Sequence, residues 1–157
     1  YRDYSRIQGQ GKMTLIVDAN VAVKWFIKEE QYEQARKILN ANERIIAPDW
    51  IVPEVAHAIF KKFQNEQATR QQTSEVIKIL PHYFDDLVTS LSLIERAMEI
   101  AIEINHPVYD CIYIASAERS LGLLITNDGR LIKSTQNTKY QVFVQHLGTF
   151  NNPPLPQ

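Results

Sequence analysis

The sequence predicts an α/β fold, a parallel sheet of about five strands with helices on both faces. Two observations carry that expectation. Short apolar runs alternate with helical patterns along the chain, and no hairpin signal joins one run to the next. Two of the runs also end in the same device, Leu15-Ile16-Val17 in Asp18-Ala19-Asn20 and Leu123-Leu124-Ile125 in Thr126-Asn127-Asp128. Right-handed crossovers would put all strand ends of one polarity on one edge, where open α/β sheets place their ligands.

The elements follow in order. After the first strand, residues 19–28 carry Val21, Val23, Trp25, Phe26 and Ile27 around most of a short helix, with Lys24 and Lys28 on one stripe. That stripe reads as a solvated face, with Lys24 near enough to Asp18 to help hold a phosphate. A helix over about 30–41 turns Ala35, Ile38 and Leu39 inward, and Arg44 to Ala47 form a strand stopped by Pro48. Asp49 suits the N-cap of a helix to Gln64, with Pro53 in or near its first turn and Val55, Ala58, Ile59, Phe60 and Phe63 on its apolar side. Thr69 caps a helix that Pro81 ends. Leu87 to Thr89 form a brief strand, and Ser92 with Glu95 has capping-box spacing for a helix that His106-Pro107 breaks. Residues 108–121 make a close-packing helix with Gly122 at its C-terminal cap. Leu123 to Thr126 are the next strand, 129–133 a short helix, and Gln141 to Val144 the last strand.

Bulk properties restrict the function classes. The chain has 157 residues, enough for one self-supporting core. Apolar residues make up 45% and charged residues 22%, with no apolar run of membrane-spanning length. Cys111 is the single cysteine, and with no secretory-type leader the expected compartment is a reducing cytoplasm. A net charge of -1 denies the chain a global basic field, so any nucleic-acid role must be local, a condition that a site holding a polyanion through metal ions would satisfy. Residues 1–12 read as a vector leader or disordered extension, 13–148 as the domain, and 149–157 as a flexible proline-rich tail.

Asp18 and Asp128 each follow an apolar strand; Glu54 and Asp110 each fall in the first turn of a helix. Strand C-termini and helix N-termini share an edge in a doubly wound sheet, so these four acids are directed to one rim. Like charges so gathered raise one another's pKa, and a cation resolves the conflict. Oxygen donors without a histidine or cysteine cluster select Mg²⁺ or Mn²⁺, which suits phosphodiester hydrolysis. Asn20 and Thr126 are suited to hold Asp18, Asp128 or a coordinated water, though such residues also serve simply as turns and caps. Arg130 and Lys133, just past Asp128, would contact substrate phosphates or line a solvated helix face. His82, His106 and His146 have no partners at ligand spacing and read as surface or turn residues.

Ile16-Val17-Asp18-Ala19-Asn20, Pro48 to Glu54 with Ala56 and Ala58, Tyr109-Asp110 to Ala117, and Leu124 to Asp128 with Leu131 resemble the PIN-domain family, most closely the VapC-type toxins of bacterial toxin–antitoxin pairs. The resemblance spans about residues 13–147. It implies a PIN-like (Rossmann-like) fold, Mg²⁺- or Mn²⁺-dependent endoribonuclease activity on an RNA substrate, a homodimer, and an antitoxin protein that blocks the site. The family's acidic set falls on Asp18, Glu54, Asp110 and Asp128, with Asp18, Asp110 and Asp128 as metal ligands and Asn20 and Thr126 as accessory polar positions. Lys24 and Arg130 are the candidate RNA contacts. Two departures stand out. His57 replaces a common Asn one turn after Glu54, where it either touches metal-bound water or is merely packed or solvated. Gly129 stands where a longer residue is usual.

Two rivals remain. A phosphatase of the haloacid dehalogenase type needs a second Asp two residues after the first, and Asn20 cannot do that proton transfer. A PIN fold kept as a binding module without catalysis would not require all four acids.

Overall fold

The computed structural model describes residues 12–150. The expected leader, apart from Lys12, and the tail from 151 onward lie outside the described residues. Five strands form one wholly parallel sheet: β1 (Thr14–Val17), β2 (Arg44–Pro48), β3 (Asp86–Val88), β4 (Leu123–Thr126) and β5 (Val144–His146), in the order β3-β2-β1-β4-β5. The helices are α1 (Ala19–Ala22), α2 (Tyr32–Leu39), α3 (Ile51–Gln64), α4 (Arg70–Ile79), α5 (Ile94–Ile104), α6 (Val108–Ser120) and α7 (Gly129–Thr135). The chain steps one way from β1 to β3 and the other way from β3 to β5. Right-handed crossovers therefore put α1–α4 on one face and α5–α7 on the other. The switch of direction falls between β1 and β4, the place where such sheets open a crevice at their carboxyl ends.

The core follows from the apolar runs. Leu15, Ile16, Val17, Leu124 and Ile125 are fully buried, as central parallel strands must be when both faces are covered. Cys111 to Ala117 are buried without interruption, because α6 lies against β1, β2 and β4 while α5 packs over it. Gly122 is required by that packing: a Cβ there would meet Ile16 Cδ1 at 2.6 Å and the Thr14 carbonyl oxygen at 2.7 Å.

Several local expectations are corrected. The left-handed residue that ends α6 is Leu121 (φ 51°), not Gly122, whose role is the close approach to β1. The last strand is Val144–His146; Gln141–Phe143 is a 3₁₀ turn, since Val142 and Phe143 serve the turn rather than the ladder. Ser92 does not cap α5, because its hydroxyl donates to the Thr89 carbonyl and accepts from Arg119. Asp49 is no side-chain cap of α3; its carboxylate holds the Ser90 amide and hydroxyl instead, fastening β2 to the turn after β3. Thr69 does cap α4, in a full capping box with Gln72. Phe60 and Phe63 are half exposed rather than core, and with Ile77 they border a cavity of about 370 Å³ between α3 and α4. Phe150 is buried at 3% exposure, two residues beyond the expected domain boundary.

Candidate active site

The rim is built first by the β1–β4 pair. Val17 stands opposite Ile125, and the Asp18 amide continues the ladder by donating to the Ile125 carbonyl at 3.1 Å. Asp18 and Thr126 therefore emerge side by side. The Thr126 hydroxyl donates to Asp18 Oδ2 at 2.7 Å, and its oxygen accepts the Asp128 amide at 3.0 Å. Asn20 closes the crossing: its Oδ1 accepts the Asn127 amide at 3.1 Å, with its Nδ2 3.5 Å from both Asp18 Oδ2 and Thr126 Oγ1. The sequence-predicted accessory pair thus binds the two halves of the repeated device to each other.

Asp18 and Asp128 look alike in sequence and differ in structure. Asp128 is a helix cap, its Oδ1 accepting the Arg130 and Leu131 amides at 2.9 and 3.3 Å. Asp18 precedes α1 but does not cap it with its side chain. At 5% exposure its carboxylate costs desolvation without that return. Burial pushes Asp18 up to about 6, helped by repulsion from Asp110 and Asp128 and opposed by the Thr126 hydroxyl and the Ala19 backbone.

Glu54, in the first turn of α3, is raised to about 7, chiefly by burial, against the Tyr113 hydroxyl that donates to its Oε1 at 2.6 Å. Asp18 and Asp110 repel it as well. Asp110, in the first turn of α6, is also raised, again first by burial. The four acids therefore form one electrostatic unit, as expected. The tightest group among the described residues is narrower: His106, Asp110 and Asp128 each offer an atom within 4.8 Å of the others, and Asp18 and Glu54 lie outside it. Oxygen donors dominate the site, and burial together with mutual repulsion leaves it short of positive charge. Those residues fit a hard divalent cation.

Other expectations change. Lys24 is 5% exposed, and its Nζ is held by Glu29 Oε1 at 3.0 Å and the Glu30 carbonyl at 2.8 Å. A 3₁₀ turn over Val23–Trp25 replaces the expected continuous helix, so Lys24 and Lys28 share no solvated stripe. Arg130 is exposed beside Asp128. His57 is exposed, its ring centroid 6.4 Å from that of Phe60, which fits the solvated reading. His106 overturns the expectation made for it, with Nε2 2.7 Å from Asp110 Oδ2. Its spacing of four from Asp110 was the available signal, obscured because Pro107 places His106 ahead of the helix. Tyr113 was also missed, lying inside an apolar helix where a tyrosine reads as packing.

Comparison with known proteins agrees with this geometry. The PIN domain family profile matches residues 15–135. Ribonuclease VapC3 of Pyrobaculum aerophilum is 27% identical over 121 residues, covering 76% of this chain and 92% of that protein. Among solved structures, PAE2754 from Pyrobaculum aerophilum superposes with a TM-score of 0.65 at 19% identity, covering 90% of each chain. A toxin–antitoxin complex from Klebsiella pneumoniae gives 0.58 at 18% identity, covering 85% of this chain and 97% of the other. With the profile spanning β1 to α7 and every acid of the rim within it, the chain belongs to the PIN domain family.

Proposed function

We propose that this protein is a metal-dependent endoribonuclease, the toxin of a toxin–antitoxin pair, with the domain expected over about residues 13–148 extending to the buried Phe150. The observation that carries the reading is the gathering of Asp18, Glu54, Asp110 and Asp128 at the switch point of the sheet, where burial and repulsion raise three of them. The likeness to a VapC ribonuclease and to a toxin–antitoxin complex supports the substrate class and an antitoxin partner. No described helix is long and apolar enough to cross a membrane. A cytoplasmic location remains part of the proposal.

Asp18, Asp110 and Asp128 would hold Mg²⁺ or Mn²⁺. When bound, the cation supplies charge that acidifies water and neutralises the phosphate oxygens. Glu54 is the proton acceptor. Its Oε1 is held by Tyr113, and Oε2, free of hydrogen bonds among the described residues, takes a proton from the attacking water. That water's oxygen bonds to phosphorus as an ester P–O bond breaks, and the leaving oxygen keeps the electron pair of that bond and takes a proton from solvent water. Burial is the main cause that lifts this carboxyl above the usual carboxylate range in the metal-free site, which makes it a stronger proton acceptor. Thr126 and Asn20 keep Asp18 in place, and Arg130 meets an RNA phosphate. The homodimer is assigned to the face of α5, where Met98 and Ile102 are 49% and 75% exposed, with Leu91 at 83% just before the helix.

The test is cleavage of RNA by the purified protein with added Mg²⁺ or Mn²⁺. Asp110→Asn should fold and fail to cleave. Cleavage by that variant at the wild-type rate, or cleavage that survives chelation, refutes the mechanism.

A further inference from the structure

We propose that His106 is a positioning residue of the acidic site, a clamp that sets the orientation of Asp110 and ties the helix bearing it to the helix that Asp128 caps. The proposal rests on the reading of the acids as a cation site.

His106 is fixed before its side chain is considered. Asn105 adopts the left-handed conformation (φ 50°) that ends α5, and Pro107 opens α6, so His106 occupies a tight link between two packed helices. Its amide donates to the Ala101 carbonyl at 3.2 Å. Its carbonyl faces the Cys111 thiol at 3.8 Å. The imidazole is 8% exposed, and both nitrogens are used: Nδ1 lies 2.9 Å from Ser134 Oγ and Nε2 2.7 Å from Asp110 Oδ2.

The ring is held from both sides: Nε2 presents its N–H to Asp110 Oδ2, and Nδ1 meets Ser134 Oγ, which also reaches the Arg130 carbonyl at 2.9 Å.

The consequence is geometric. One oxygen of Asp110 is pinned, and Oδ1 takes no hydrogen bond from any described residue. Through Ser134 the same ring is fastened to α7, whose first turn is capped by Asp128. Asp110 and Asp128 repel each other, and His106 is the strut that holds them at ligand-sharing distance. Histidine–carboxylate pairs behind metal ligands commonly change metal affinity by about 10–100-fold when broken.

The experiment titrates Mn²⁺ into the purified protein and follows free Mn²⁺ by electron paramagnetic resonance, a readout independent of turnover. His106→Ala should weaken binding about 10–100-fold. His106→Gln, which returns an N–H toward Asp110, should recover most of that loss, and Ser134→Ala should weaken binding less than His106→Ala. If His106→Ala binds as wild type while Asp110→Asn does not, the clamp is refuted and the cation site stands. Equal losses in the Ala and Gln variants refute it too, because the N–H would then be irrelevant. If wild type and Asp110→Asn bind Mn²⁺ alike, the cation site itself fails and the clamp with it. Should His106→Ala not fold, unchanged affinity in Ser134→Ala is sufficient refutation.

Discussion

The most informative perturbation is Asp18→Asn in the metal-free protein, because it separates a carboxylate placed for function from one placed for stability. Asn keeps an oxygen for the Thr126 hydroxyl and removes the charge. Asp18 is raised from 3.8 to about 6, so between those values the native state holds a proton that the unfolded chain has lost. The sign follows directly: the contribution is present at low pH and is lost as pH rises through the folded value. At about 1.36 kcal/mol per pKa unit, the wild type forfeits up to about 3 kcal/mol by neutral pH, where Asn forfeits nothing.

The variant should therefore exceed wild type by only about 0.5 kcal/mol at pH 4 and by up to about 3 kcal/mol at pH 7.5. In thermal melts the latter is a gain of up to about 6–12 °C, for a domain of this size. The assay is urea denaturation in EDTA from pH 4 to 8. Saturating Mn²⁺ should close the gap by stabilising wild type more than the variant. A difference that does not change with pH, or a variant less stable than wild type at pH 7.5, refutes the account of Asp18 as a carboxylate held at a cost in stability.

Four further outcomes are expected. Thr126→Val removes the donor to Asp18 and the acceptor of the Asp128 amide in a fully buried position, and should cost about 1–3 kcal/mol in urea melts as well as most cleavage activity. Lys24→Met should lose about 1–3 kcal/mol of stability while cleavage per folded molecule is unchanged, since its ammonium serves Glu29 and Glu30 rather than RNA; a selective loss of activity would restore the RNA contact. Gly122→Ala must displace Ile16 or the β1 backbone and should destabilise by about 1–3 kcal/mol, read from the melting temperature. Ile102→Glu should shift the protein from dimer to monomer in light scattering without unfolding it, because that side chain is 75% exposed.

The sheet was legible in the sequence because buried parallel strands are written as apolar runs, and four of the five lie within a residue or so of their expected bounds. β5 was displaced because Gln141 to His146 alternates weakly and an edge strand needs less apolar surface. The acids were legible for a topological reason: chain order alone sends strand ends and helix starts to one edge. The partners of those acids were not. Tyr113 reaches Glu54 across fifty-nine residues and His106 reaches Ser134 across twenty-eight, and no local periodicity encodes either contact. Asp49 and Ser92 show the reverse error, in which a locally favourable cap yields to a tertiary partner.

Asp18 and Asp128 show why local chemistry could not settle their roles. Each follows an apolar strand and precedes a helix, with a small polar residue two positions away. Only Asp128 caps its helix, and one of its oxygens is thereby satisfied by protein amides. Asp18 receives only neutral donors, the Thr126 hydroxyl at 2.7 Å, the Asn20 amide at 3.5 Å and the Ala19 backbone, while buried beside other carboxylates. A fold selected for stability alone would place an apolar or amide side chain at that position, since an unpaired buried charge is among the costlier features a core can carry. The stability that Asp18 gives up, rather than its place in a motif, is the feature that the proposed cation site would account for.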